Sequence, residues 1–392
     1  MTDINLIVEN AVALYRTKQN DRPMPVYMQG PPGCGKSALV EGVLPGVLEE
    51  HFFPSAEPTE RPARPNTHWS PCGTVAVVTE ILSTVESTDV RGFAMPVKDR
   101  ETGAYETAWI MPALVRSEQW AYAQGAKIVV FFFDELPQCD TSTQKAVVDI
   151  MLNGRIGEYG LRRTTWCIGA GNRTQDMAGA NRLLSILRNR VVNFDAEMPL
   201  KPWLKWALAH KMSPVIADFL EFRPDLLAEV QPTKDGAFLT HRSMTQASNL
   251  VNAMKRVHGI TDPMGLPDDD FTRDAVAGTI GEAAQVELYA YVADAAELPK
   301  LDEIIKDPEG CKVPDSEHLS AQYAAAQMLK RGATQHNVVQ LWTYAERLMK
   351  DMQAKIANDL LENQFGGVLF NTKKFSNWLA ENRSLITATF AR

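Results

Sequence analysis

The segment MQGPPGCGKSALV, Met28 to Val40, fits the spacing G-x-x-x-x-G-K-[ST] with Gly30, Gly35, Lys36 and Ser37. Glycines let successive backbone N–H groups turn inward toward phosphate oxygens, an approach that a Cβ would obstruct. Gly30, Pro31, Pro32, Gly33, Cys34, Gly35, Lys36, Ser37 and Ala38 are therefore the candidate phosphate-binding residues. Lys36 is placed to reach the β- and γ-phosphates, and the Ser37 hydroxyl to ligate Mg²⁺. Cys34 lies inside this loop, near a lysine and a helix N-terminus, surroundings in which a redox role can be asked about. We read it as a small loop residue all the same.

Such a loop works only between a strand and a helix that point it at the anion. The apolar PVYMQG supplies the strand, and a helix is expected from Ser37, kinked or ended by Pro45-Gly46. A second apolar run, IVVFFF (Ile128 to Phe133), ends in Asp134-Glu135, the pattern of a strand buried on both faces of a parallel sheet. This run resembles a Walker B element, whose aspartate holds the hydrated Mg²⁺. A carboxylate directly after it, Glu135, suits polarising a water for attack on the γ-phosphate. TTWCIGAGN is a further buried strand, and Asp140 caps a helix through Met151 that Gly154 ends.

At 392 residues, 45% hydrophobic and 22% charged, the chain has the composition of a globular protein with two or three domains. No apolar run is long enough to span a bilayer, and the N-terminus carries no secretion signal, so a cytoplasmic protein is expected. Five scattered cysteines exclude a disulfide framework and a zinc ribbon. A net charge of -8 argues against broad adhesion to nucleic acid. Residues 4 to 15 carry a helical pattern, with Thr2 or Asp3 as N-cap. RGFAMPVKDRETGAYETAWIMP reads as a β-hairpin turned by DRETG, exposing Phe93, Met95, Trp109 and Ile110. GTVAVVTEIL mixes strand and helix signals. Beyond Asp195 helical patterns dominate; Trp203, Leu204, Trp206 and Leu208 are expected in the core, as are Trp342 and Tyr344.

Together these segments resemble the AAA+ ATPases, within them the MoxR-like branch, of bacterial or phage-encoded type. IGAGN ends at Asn172, in the place of the sensor 1 asparagine that positions the attacking water. LLSILRNRVVNF is similar to the helix end that bears arginine fingers, with Arg190 the first candidate and Arg188 the second. DVRGFAMP, from Asp89, resembles the opening of the MoxR-type hairpin insert, and LTHRSMTQASNLV the sensor 2 helix, with Arg242 as its arginine. The sequence departs from the family at His241, where many relatives have proline, at Val191, which replaces an aromatic, and at Pro45-Gly46, which interrupts the helix after the loop early.

The resemblance implies an αβα P-loop NTPase domain over 1–197 with a parallel sheet and a hairpin insert near 89–112. A helical lid over 198–260 and a helical C-terminal extension over 261–392 would follow. It implies Mg²⁺-dependent hydrolysis of ATP, with Ser37 and Asp134 placing the metal and Glu135, Asn172, Arg188, Arg190 and Arg242 acting in catalysis. It further implies a homo-oligomeric ring, most often a hexamer, that remodels a protein client, in this group often one with a von Willebrand factor A domain. A nucleic-acid motor or loader, a degenerate P-loop scaffold that binds ATP without hydrolysis, and a GTP-using restriction-type motor are the alternatives; the first would need a basic stripe that the sequence does not show, and the presence of Lys36, Asp134, Glu135 and Asn172 disfavours the second.

Overall fold

The computed structural model describes residues 1–98, 101, 103–173, 183–228, 236–363 and 365–383. Asp99, Arg100 and Thr102 of the expected hairpin turn lie outside them, as do 229–235 of the expected lid and 384–392 of the extension. Contacts divide the chain into two compact units. One comprises Met1–Trp203 together with Thr240–Arg242; the other holds the remaining described residues from Leu204 onward.

The first unit is built on a sheet that, among the described residues, has seven strands. Their order across the sheet is Thr2–Asp3, Val192–Glu197, Val26–Gln29, Thr165–Gly171, Ile128–Asp134, Val75–Ile81 and Thr67–Trp69. Every pairing is parallel except the last, where Thr67–Trp69 runs antiparallel to Val75–Ile81. The fold is α/β, with a parallel-dominated sheet. Both faces of its centre are covered, and side chains alternate between two cores as strand geometry requires. Val129, Phe131 and Phe133 enter one core, whereas Ile128, Val130 and Phe132 enter the other. The segment that mixed strand and helix signals is the strand Val75–Ile81, followed by the short 3₁₀ turn Leu82–Thr84.

Local chemistry sets the element ends. The first helical pattern divides at Asn10 into Ile4–Glu9 and Ala11–Arg16, with the Asp3 carboxylate accepting the Asn5 amide as N-cap. After the phosphate loop, Lys36–Gly42 stops at Val43 and a second helix, Leu44–Phe52, carries Pro45 in its first turn, where a missing N–H costs nothing. Asp140 caps Thr141–Asn153 by accepting the Thr143 amide at 2.7 Å, and Gly154 ends that helix at φ +62°.

A buried carboxylate staples one edge of this unit. Glu49 accepts hydrogen bonds from the Ser70 hydroxyl (2.5 Å), the Cys72 amide (2.7 Å), and the Thr74 amide and hydroxyl (3.1 and 2.7 Å). Burial alone would raise its pKa; these hydrogen bonds more than offset that and hold it at about 2.

The hairpin pairs Phe93–Lys98 with Tyr105–Ile110, Phe93 lying opposite Ile110. Phe93, Met95, Val97 and Ile110 are exposed. Trp109 departs from the expected exposure. It is half-buried, its indole N–H donates to the Arg91 carbonyl at 3.0 Å, and it packs against Gly157.

The second unit is helical. Trp342 and Tyr344 lie in its core with Leu341, Phe375 and Trp378. The tryptophan helix Leu200–Ala209 corrects the sequence reading: Trp203 and Leu204 are buried, but Trp206 and Leu208 are 48% and 47% exposed. The helical period puts Trp206 and Leu208 beyond the buried stripe, and Trp206 stacks on His210 instead.

Candidate functional site

Strand register gathers the site at the carboxyl edge of the sheet. Gln29 pairs with Gly171, Gly169 with Phe133, and Asp134 with Ile81, so the residues that follow these strands emerge side by side. They are the phosphate loop, Asn172, the Asp134-Glu135 pair and Ser83. At Gly171 a Cβ would lie 2.1 Å from the Pro137 ring, so only glycine lets this strand pass the turn after the acids.

The phosphate loop curls back on the lysine that follows it. Lys36 is 7% exposed, and its ammonium donates to the carbonyls of Gly30 (3.0 Å) and Pro31 (2.9 Å) and to Asn172 Oδ1 (3.2 Å). Gly35 has φ +89°, a conformation that L side chains rarely adopt, and leads into the first turn of Lys36–Gly42. Cys34 is buried at 1% exposure, with its sulfur 3.7 Å from the Lys36 ammonium.

The Ser37 hydroxyl donates to Asp134 Oδ2 at 2.5 Å. Two hard oxygen donors thus converge beside the loop, which suits Mg²⁺, an ion held by one or two protein oxygens together with waters and substrate phosphates. Among the described residues no group of three or more His, Cys, Asp or Glu side chains forms a metal cage of its own. The other Asp134 oxygen accepts the Glu135 amide at 2.8 Å. Glu135 adopts a left-handed backbone, φ 55° and ψ 32°, which is uncommon away from glycine and concentrates at functional sites. That turn directs its carboxylate to the Ser83 hydroxyl, which donates to it.

The structure therefore brings Lys36 to Asn172, Ser37 to Asp134, and Glu135 to Ser83. Arg188, at the end of the helix Ser185–Arg188, and Arg190 are exposed. Among the described residues neither hydrogen-bonds the phosphate loop, Asp134 or Asn172. Arg242 is exposed at the start of the helix His241–Val257, yet a Cβ on Gly33 would lie 3.3 Å from the Arg242 Cβ. Sequence reasoning missed Ser83 and also Thr240, whose hydroxyl would lie 2.8 Å from a Cβ on Gly33. Ser83 belongs to no motif, and only the pairing of Ile81 with Asp134 places it beside the acids.

No family model and no curated protein matches the chain. Solved structures similar to it include NtrX from Brucella abortus, at 12% identity over 94% of this chain and 69% of that one, TM-score 0.37. RuvB from Thermotoga maritima is similar at 16% identity over 81% of each chain, TM-score 0.38. Likeness at these levels identifies no substrate, partner or functional residue of this chain. No helix among the described residues is long and apolar enough to cross a membrane.

Proposed function

We propose that the chain is an AAA+ ATPase of the MoxR-like branch, which hydrolyses ATP to ADP and phosphate with Mg²⁺ and uses the energy to remodel a protein client. The observation that carries this reading is the convergence of Lys36, Asn172, Ser37 and Asp134 on one phosphate loop. Lys36 and the loop amides bind the phosphates; the Lys36 ammonium donates to loop carbonyls that phosphate oxygens would replace. Ser37 and Asp134 hold Mg²⁺, which neutralises charge on the β- and γ-phosphates when bound. Glu135, once released by Ser83, accepts a proton from the attacking water, and Asn172 positions that water.

Arg242, next to Gly33, senses the γ-phosphate. Arg190 or Arg188, both exposed, serves the nucleotide of a neighbouring subunit, so the active form is a head-to-tail ring, most simply a hexamer. The helical lid over 198–260 and the extension over 261–392 complete the subunit. The hairpin, with its exposed apolar stripe, is the part that meets the client, for which a protein with a von Willebrand factor A domain is our first choice.

The direct test is phosphate release from ATP and from GTP by the purified chain, with Mg²⁺ and with chelator. Mg²⁺-dependent release from ATP is expected. Release from GTP alone would move the reading to a GTP-using motor, and no release from either nucleotide would overturn it.

A further inference from the structure

The short segment Thr240–Arg242 belongs to the compact unit that carries the sheet, although the sequence separates it from the rest of that unit. It lies against the phosphate loop: a Cβ on Gly33 would sit 2.8 Å from Thr240 Oγ1 and 3.3 Å from the Arg242 Cβ. Between these two residues stands His241. Its ring meets the buried Trp203 edge-on, with centroids 4.9 Å apart at 81°, and hydrogen-bonds the Met198 backbone.

Met198 is itself fixed. It follows directly on the strand Val192–Glu197, its sulfur accepts from Asn5 Nδ2 at 3.7 Å, and its methyl group is 3.3 Å from where a Cβ on Gly35 would be. A chain of contacts thus runs from the sheet through Met198 and His241 to the residue beside Gly33. Burial also pushes the imidazole down to about 4, so it stays neutral in the physiological range and leaves Arg242 as the cation of this segment.

We propose that His241 is a positioning residue: anchored on Met198 and Trp203, it presets Arg242 against the phosphate loop for the γ-phosphate. This rests on the ATPase reading above and adds a residue at which the chain departs from the pattern of its resembling family. A group held in place before substrate arrives acts without a reorganisation cost, and small misplacements of such groups lower rates by orders of magnitude. His241 itself touches no reacting atom.

The test compares ATP turnover, ADP binding and thermal midpoint for the wild-type chain, Arg242→Ala, His241→Ala and the double variant. His241→Ala should lower kcat roughly tenfold while ADP affinity stays within about twofold. The double variant should be no slower than Arg242→Ala alone, because both changes remove one effect. His241→Gln, which keeps a neutral N–H donor for Met198, should recover part of the loss. Should His241→Ala not fold, His241→Leu fills the space beside Trp203 without the hydrogen bond and carries the same expectations.

Independent, additive losses would overturn the positioning role, as would an unchanged kcat or variants that never fold. A silent Arg242→Ala would overturn it too, while leaving the ATPase reading intact. A wild-type chain without ATP turnover would overturn both.

Discussion

Ser83 donates its hydroxyl to the carboxylate of Glu135, across 52 residues of sequence and between neighbouring strand ends. The carboxylate proposed as general base is therefore engaged by Ser83, at the end of a residue with a left-handed backbone. Releasing it costs about one hydrogen bond to a charged group, or about 1.5–3 kcal/mol. Ser83→Ala is expected to raise basal ATP turnover by roughly threefold or more with KM little changed, as read by steady-state phosphate release. A fall in turnover would mean that Ser83 supports the base in its working position.

Two substitutions in the site should fail in different ways. Lys36→Ala removes the buried ammonium proposed to meet the phosphates, so nucleotide binding itself should be lost in a fluorescent-nucleotide titration. Glu135→Gln leaves the Ser37–Asp134 pair intact and should bind ATP yet hydrolyse it at least ~100-fold more slowly. Wild-type turnover by Glu135→Gln would remove Glu135 from the mechanism.

The exposed arginines predict that activity belongs to an assembly. Specific ATPase activity should rise with protein concentration, since ATP held between subunits favours the associated state. Mixing inactive Lys36→Ala with inactive Arg190→Ala should restore some hydrolysis, because certain interfaces would join an intact loop to an intact finger. Arg188→Ala tested in the same mixture assigns the finger. Turnover that is independent of concentration, with no recovery on mixing, would place the whole reaction within one chain.

For the hairpin, Phe93, Met95 and Val97 alternate onto one face, shared with Ile110. Changing these three to serine should leave basal ATPase within about twofold, since surface substitutions away from packed features cost little. Recovery of a client on the ATP-trapped Glu135→Gln protein should be lost in the same background. If instead the serine variant precipitates or loses nucleotide binding, the stripe serves the fold.

Glu49 makes the first unit sensitive to acid. Its folded pKa of about 2 lies below the ordinary 4.5, so its contribution is present in full above about pH 5 and is lost as pH falls from there toward 2. Glu49→Gln is expected to cost roughly 1–3 kcal/mol at pH 7 by urea titration, the range for buried hydrogen bonds to a charged group. That gap should narrow as the pH is lowered. A gap that holds constant down to pH 3 would show that the Glu49 charge contributes nothing to the staple.

What could be read in the sequence follows the range of the physics involved. The glycine turn before the helix Lys36–Gly42, the Asp140 cap and the Gly154 stop are local, because each needs only residues within a few positions. Ile128–Asp134 could be read because six successive buried residues leave little choice but a covered strand. Ser83, Met198 and Thr240 could not, since each becomes part of the site only through strand register or a long chain reversal. Trp206 misled because its spacing from Trp203 satisfies a helical stripe, yet the buried stripe of that helix is narrower than the pattern suggests. Trp109 pairs with Ala94, so alternation alone sets its indole on the face opposite Phe93 and Met95, away from the exposed stripe.

Apart from Trp109 and Ala108, every described residue of the two hairpin strands is exposed. The sheet therefore gains almost nothing from the identity of those residues, and substitutions there cost it little stability. As far as the sheet is concerned the hairpin is a cassette, whereas Gly171 has no such freedom beside the Pro137 ring.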